Sequence, residues 1–155
     1  MELVDGAPHL EEVKELISEY TEWLGRDLAF QGLEDELEHI EEKYLPPEGG
    51  LVVAVDERGA VCGCVAYHRL DERTAEMKRL YVRPEGRGHR LGEKLAKRIM
   101  ELAREDGYER MVLDTVAPLE AAVSLYRKLG FDEVEPYYHN PFEDNDIIFA
   151  ETKDL

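Results

Sequence analysis

Apolar positions along the chain recur with two periods, and the switching between them outlines a mixed fold. Leu10, Val13, Leu16, Ile17, Tyr20 and the Trp23/Leu24 pair return every three or four residues, which predicts an amphipathic helix over 9–24. Gly25 and Gly32 bracket a short link containing Phe30. A second, more acidic helix is predicted to run to about Tyr44, ended by Pro46-Pro47 and Gly49-Gly50. Leu51–Val55 and Val61–Tyr67 are runs of strand formers joined by Asp56-Glu57-Arg58-Gly59, a hairpin pattern. Thr74–Val82 predicts a third strand with Pro84 just past its end, and alternation puts Glu76, Lys78 and Leu80 on one face. Leu91, Leu95, Ile99 and Leu102 then mark a helix from Gly88 to about Glu105, closed by Gly107. Arg110–Val116 reads as a strand and Leu119–Leu129 as a helix ended by Gly130. Phe131–Tyr138 and Ile147–Ala150 complete the strands.

Strands first, then β-α-β-α-β, predict an α/β or α+β domain with a mixed sheet. The 155 residues suit one domain, 1–155, and an apolar share of 43% suits a packed core. No run approaches the ~18 apolar residues of a spanning helix. The polar, acidic N-terminus is unlike a signal peptide, so the expectation is a cytoplasmic protein that meets no membrane. Cys62 and Cys64, two apart in a strand, are expected on one face as small buried side chains that cannot bridge. No spaced His or further Cys joins them, so no metal is expected.

Charge changes the picture. The chain carries 36 acids against 19 Lys plus Arg, a net −17, which argues against a nucleic-acid partner. Two explanations for the acidity stay open: solubility in a salty cytoplasm, suggested also by seven Lys against twelve Arg, or steering of a cationic substrate. One window breaks the rule. From Lys78 to Arg98 there are eight basic residues and two acids, +6 against −23 for the remainder.

That window is a strand, a turn and a helix start. The first N–H groups of a helix lack intrahelical partners and the macrodipole adds positive potential there. Arg87, His89, Arg90 and Lys94 add formal charge, and Gly88 and Gly92 allow close backbone approach. Together they form a cradle for a phosphate-bearing anion. The pattern is neither Gly-x4-Gly-Lys-Ser/Thr nor Gly-x-Gly-x-x-Gly.

Leu80-Tyr-Val-Arg-Pro-Glu-Gly-Arg-Gly-His-Arg-Leu-Gly92, followed by an amphipathic helix, resembles the acyl-CoA motif of the GNAT superfamily of N-acetyltransferases. The family pattern is Arg/Gln-x-x-Gly-x-Gly/Ala. Arg87 and Gly92 fill its ends, and Arg90 stands where the middle Gly usually sits, which crowds the cradle unless its side chain points outward. Ala121-Ala-Val-Ser-Leu-Tyr126-Arg-Lys-Leu-Gly-Phe131 is similar to the family's late helix and the strand after it, with Leu119 at the place of the usual Asn.

The resemblance implies a GNAT-like mixed, mostly antiparallel sheet of about six to seven strands flanked by about four helices. It implies acetyl-CoA as co-substrate and no metal. It also implies a strand 74–82 splayed from its neighbour at a bulge, with backbone groups of Leu80, Tyr81 and Val82 holding the pantetheine arm. Arg87, Gly88, His89, Arg90, Leu91, Gly92 and Glu93 are implied to seat the pyrophosphate. Glu76 takes the place of the strand base, with Asp114 and His139 as substitutes, and otherwise reads as a strand Glu paired with Lys78 or Arg79. Tyr126 takes the place of the acid near the CoA sulfur, and otherwise reads as a core aromatic. Holding both substrates in one cleft supplies about 7–11 kcal/mol of the barrier reduction.

The acceptor is expected to be a small-molecule or peptide amine. Tyr137, Tyr138, His139 and Phe142 in a late loop, with Phe30, Trp23 and Tyr44, are candidates to line its site. Glu34, Asp35, Glu36 and Glu38 read as the solvated face of their helix. A longer acyl donor and a non-catalytic acyl-CoA-binding regulator remain the alternative functions, and a homodimer is left open.

Overall fold

Seven strands form one sheet: β1 (Glu2–Asp5), β2 (Gly49–Val55), β3 (Val61–Arg69), β4 (Thr74–Val82), β5 (Arg110–Val116), β6 (Asp132–Val134) and β7 (Ile147–Thr152). Their spatial order is β1-β2-β3-β4-β5-β7-β6. Every neighbouring pair is antiparallel except β4 with β5, which is parallel. The computed structural model describes residues 1–24, 33–86, 90–116, 120–135, 147–152 and 155. Within them lie five α-helices: α1 (Leu10–Leu24), α2 (Leu33–Glu38), α3 (Ile40–Tyr44), α4 (Leu91–Glu105) and α5 (Glu120–Lys128).

The sheet carries an apolar layer on each face. On one, Leu91, Leu95, Ile99 and Ala103 of α4 pack on Val65, Tyr67, Ala75 and Met77, with Tyr126 and Phe131 in the same cluster. On the other, Val13, Leu16 and Ile17 of α1 with Ile40 and Tyr44 of α3 cover Leu51, Val53, Cys64 and Ala66. A sheet covered on both faces explains why β2 and β3 read as continuous apolar runs rather than alternating ones.

Several expectations are corrected. The helix count is five rather than about four, because the second predicted helix breaks at His39. Its φ of −121° and ψ of 35° leave the helical region. β1 was not anticipated. Four residues that pair along one edge of the sheet carry little periodic signal. The strand expected at Phe131–Tyr138 is confined to Asp132–Val134 among the described residues.

Two bulges re-aim side chains. In β3, Gly63 faces Ala54 while Val61 faces Val55, so Cys62 is an extra residue. Cys62 therefore joins the layer under α4 while Cys64 joins the layer under α1, and the two cysteines point to opposite faces, not one. In β4, Tyr81 faces Cys64 and Lys78 faces Ala66, so β4 spends one residue more than β3. Arg79 absorbs the excess with a φ of 61°, the left-handed region. Its side chain goes to the α1–α3 side, whereas Leu80 packs under α4. Glu76 and Lys78 thus do not share a face with Leu80.

Candidate active site

The ladder between β4 and β5 is short. Thr74, Ala75 and Glu76 face Arg110, Met111 and Val112, and the pairing ends there. Beyond it β4 continues to Val82 along β3, while β5 continues to Val116 along β7. Two parallel strands that part toward their C-terminal ends open a crevice in the sheet, the usual place for a ligand in such sheets. The anticipated bulge in β4 lies within this stretch. Leu80 and Val82 lean into the layer under α4, and Tyr81 leans the other way, its ring 5.6 Å from that of Tyr20 on α1.

The helix start sits at the same end. A 3-10 turn over Pro84–Gly86 leads from β4 toward α4. A methyl on Gly86 would stand 3.2 Å from Val82 Cγ1 and 3.3 Å from Leu91 Cδ2, so the end of β4 and the first turn of α4 are in close contact. Arg87, Gly88 and His89 lie outside the described residues. Arg90 is the N-cap, with φ 53° and ψ 32°, exposed, and its side chain makes no capping bond. It occupies the left-handed conformation that glycine favours.

Leu91 is buried and anchors the turn. The first hydrogen bond of α4 runs from the Lys94 N–H to the Arg90 carbonyl, so the helix does not use the N–H groups of Leu91, Gly92 and Glu93. Gly92 has an ordinary helical backbone, and a Cβ built on it meets none of the described residues within 4 Å. Neither conformation nor packing within the described residues calls for glycine here. What its missing side chain keeps clear is the space above three donor N–H groups, which fits an anionic group laid on the helix start. The Glu93 carboxylate turns away to Lys128 of α5 at 2.9 Å and Lys97 at 3.2 Å, and these lysines hold it below the usual carboxylate range.

The basic window is less uniform than its charge count. Arg79 is buried on Glu36, Arg83 answers Glu19 at 2.7 Å, and Lys97 and Arg98 pair with acids of their own helix. Arg90 and Lys94 remain as exposed cations at the described part of the helix start. Backbone geometry with few charges, not the full +6, is therefore what favours an anion at this helix start.

Glu76 is the last β4 residue paired with β5, so it stands where the crevice begins. It is buried, and Oε1 lies 2.5 Å from His68 Nε2 across the β3–β4 ladder. The anticipated pairing with Lys78 or Arg79 is replaced by this one, because Arg79 is committed elsewhere. Its guanidinium makes two bonds to Glu36, of 2.8 and 3.1 Å, and Lys43 adds a third at 2.9 Å. Glu36 is therefore no part of a solvated face. Burial pushes its carboxyl up, and Arg79 and Lys43 outweigh that and hold it at about 2.

Tyr126 is buried under α4 with its ring edge-on to Phe131 at 5.9 Å, so it is a core aromatic by packing. Burial first, then Tyr20 and Asp114, pushes its hydroxyl well above the ordinary tyrosine value. Tyr20 belongs to the opposite face, so its influence on the Tyr126 hydroxyl reaches across the sheet where β4 and β5 have parted. Asp114, the substitute base, stands on β5 beside this pair. The Cys64 thiol donates to the Arg79 carbonyl inside the bulge, and burial pushes it up to about 12, which keeps it neutral and unreactive.

Of the acceptor candidates, Tyr44 is fully buried in the layer under α1. Phe30, Tyr137, Tyr138, His139 and Phe142 lie outside the described residues, as does the side chain of Trp23. Sequence reasoning missed Tyr20, Glu36 and His68. Only long-range register and helix docking bring them to Tyr81, Arg79 and Glu76, and no local signal marks them.

A profile of the acetyltransferase (GNAT) family matches residues 10–131. An uncharacterized N-acetyltransferase of Schizosaccharomyces pombe is 50% identical over 133 residues, covering 85% of this chain and 82% of the relative. Among solved structures, an acetyltransferase from Streptococcus agalactiae 2603 matches with a TM-score of 0.78 at 28% identity, over 98% of this chain and 97% of the other. A protein from Salmonella typhimurium solved with its cofactor acetyl-CoA matches with a TM-score of 0.62 at 26% identity, over 78% and 73% of the two chains.

Proposed function

Because the chain belongs to the acetyltransferase (GNAT) family of N-acetyltransferases, we propose that it moves an acetyl group from acetyl-CoA directly to a primary amine, with both substrates in one cleft. The observation that carries the reading is the helix start, which the described residues leave open. Gly92 leaves room above three donor N–H groups at the end of a strand that has parted from its parallel neighbour. The first turn of α4, from Arg90 to Glu93, holds the pyrophosphate through those N–H groups. Backbone groups of Leu80, Tyr81 and Val82 hold the pantetheine arm along the crevice.

Acetyl-CoA supplies the activated acyl group as a thioester. Glu76 takes the proton of the attacking amine, since it is a carboxylate at the closed end of the crevice, where β4 and β5 part. Tyr126 gives its hydroxyl proton to the sulfur as the carbon–sulfur bond breaks. Backbone donors of the β4 bulge face the charge that develops on the acyl oxygen. The relative solved with acetyl-CoA supports the choice of donor.

The test is thiol release from acetyl-CoA with a panel of primary amines: spermidine, lysinamide, 2-phenylethylamine, kanamycin and a peptide with a free N-terminus. Amine-dependent release is expected. Tight CoA binding with no release on any of them sinks the reading in favour of a non-catalytic regulator. Faster turnover of longer acyl-CoA donors than of acetyl-CoA sinks only the choice of acyl group.

A further inference from the structure

We propose that His68 is the positioning residue of the Glu76 base, resting on the reading of Glu76 just given. The two residues are direct register partners on β3 and β4, so the ladder itself fixes their backbones opposite each other. His68 Nε2 lies 2.5 Å from Glu76 Oε1. An ionised carboxylate can only accept, so the imidazole donates from Nε2. The ring is held in turn by Tyr44, edge-on at 6.3 Å and 68°. Tyr44 is fully buried in α3, so the chain of contacts runs from a fixed helix through the imidazole to the carboxylate.

The order of strands gives this contact its direction. With β3, β4 and β5 adjacent, Glu76 lies between His68 and the point where β4 and β5 part. His68 thus grips the carboxylate from the side away from the crevice. A Glu side chain has three rotatable bonds, and a base misplaced by about 1 Å costs on the order of 100-fold in rate. Exposure falls from 19% at the His68 side chain to 7% at Glu76, so solvent offers the carboxylate little alternative support. A carboxylate so buried needs a donor to remain in place and charged. His68 is not among the residues of the helix start that seats the cofactor, so its effect is expected to leave the KM for acetyl-CoA unchanged.

The experiment is a double-mutant cycle with Glu76→Gln, His68→Ala and the pair, measured on the amine turned over fastest in the panel above. CoA binding by calorimetry on each variant reports that the fold and cofactor site persist. Glu76→Gln is expected to lower kcat by about 100-fold or more. His68→Ala is expected to lower kcat by about 10- to 100-fold with the KM for acetyl-CoA within about twofold. On the Glu76→Gln background the same change is expected to cost nothing further, because its effect passes through the carboxylate. His68→Gln, which keeps an N–H donor, is expected to recover most of the loss. It also carries the test if His68→Ala does not fold.

An equal loss from His68→Ala on both backgrounds overturns the proposal, as does a His68→Ala enzyme with full kcat. A Glu76→Gln enzyme with full turnover overturns the base reading, and the positioning role with it.

Discussion

Glu36→Gln should destabilise the fold by an amount that shrinks as the pH falls. In the folded chain Glu36 accepts two bonds from Arg79 and one from Lys43, and its carboxyl sits at about 2 against an ordinary 4.5. A carboxyl lowered on folding contributes stability that is complete above its unfolded value and is lost as pH falls through its folded value. The gap from 4.5 to about 2 is worth roughly 3 kcal/mol at pH 7 and roughly 1 kcal/mol at pH 3. Glutamine keeps the shape and removes the charge, leaving Arg79 buried without its counter-ion. Urea unfolding of both proteins, followed by circular dichroism, should therefore show a penalty of about 3 kcal/mol at pH 7 that falls by about 2 kcal/mol at pH 3. A penalty that stays constant between the two pH values would refute the assignment of Glu36 as an ionised, buried partner of Arg79.

Gly92→Ala should raise stability by about 0.5–1 kcal/mol, since the site is helical and a methyl there meets none of the described residues. The same change should raise the KM for acetyl-CoA by about tenfold, because the methyl occupies the space assigned to the pyrophosphate; an unchanged KM would vacate that assignment. Arg90→Gly should add about 1 kcal/mol in thermal unfolding by relieving a left-handed backbone at φ 53°, and a lower melting temperature would count against that conformation. Tyr126→Phe should keep the core and CoA binding while lowering turnover by about 100-fold; unchanged turnover would leave Tyr126 as a core aromatic only.

The helix start is legible in the sequence, because Gly92 and the basic turn lie within a few consecutive residues. So are α1, α4 and the central strands, whose apolar periods are local. The second helix was misjudged because nothing in Glu38-His39-Ile40 announces the break. Glu36 was misread for a related reason. It sits among acids that look alike in sequence, and only the docking of α2 singles it out to meet Arg79, 43 residues on.

Periodicity determined α1, α4 and the central strands, and the basic, glycine-bearing turn marked where an anion is proposed to sit, because those properties follow from neighbours along the chain. Only the tertiary structure decided on which side of the sheet each residue acts. One extra residue at Cys62 and one at Arg79 reverse the alternation, so the cysteines separate and Leu80 parts from Glu76. The partners of Glu76 and Arg79 were likewise decided there. A strand's register and a helix's docking are set by contacts between residues far apart in sequence, and one residue of slip turns every side chain to the other face.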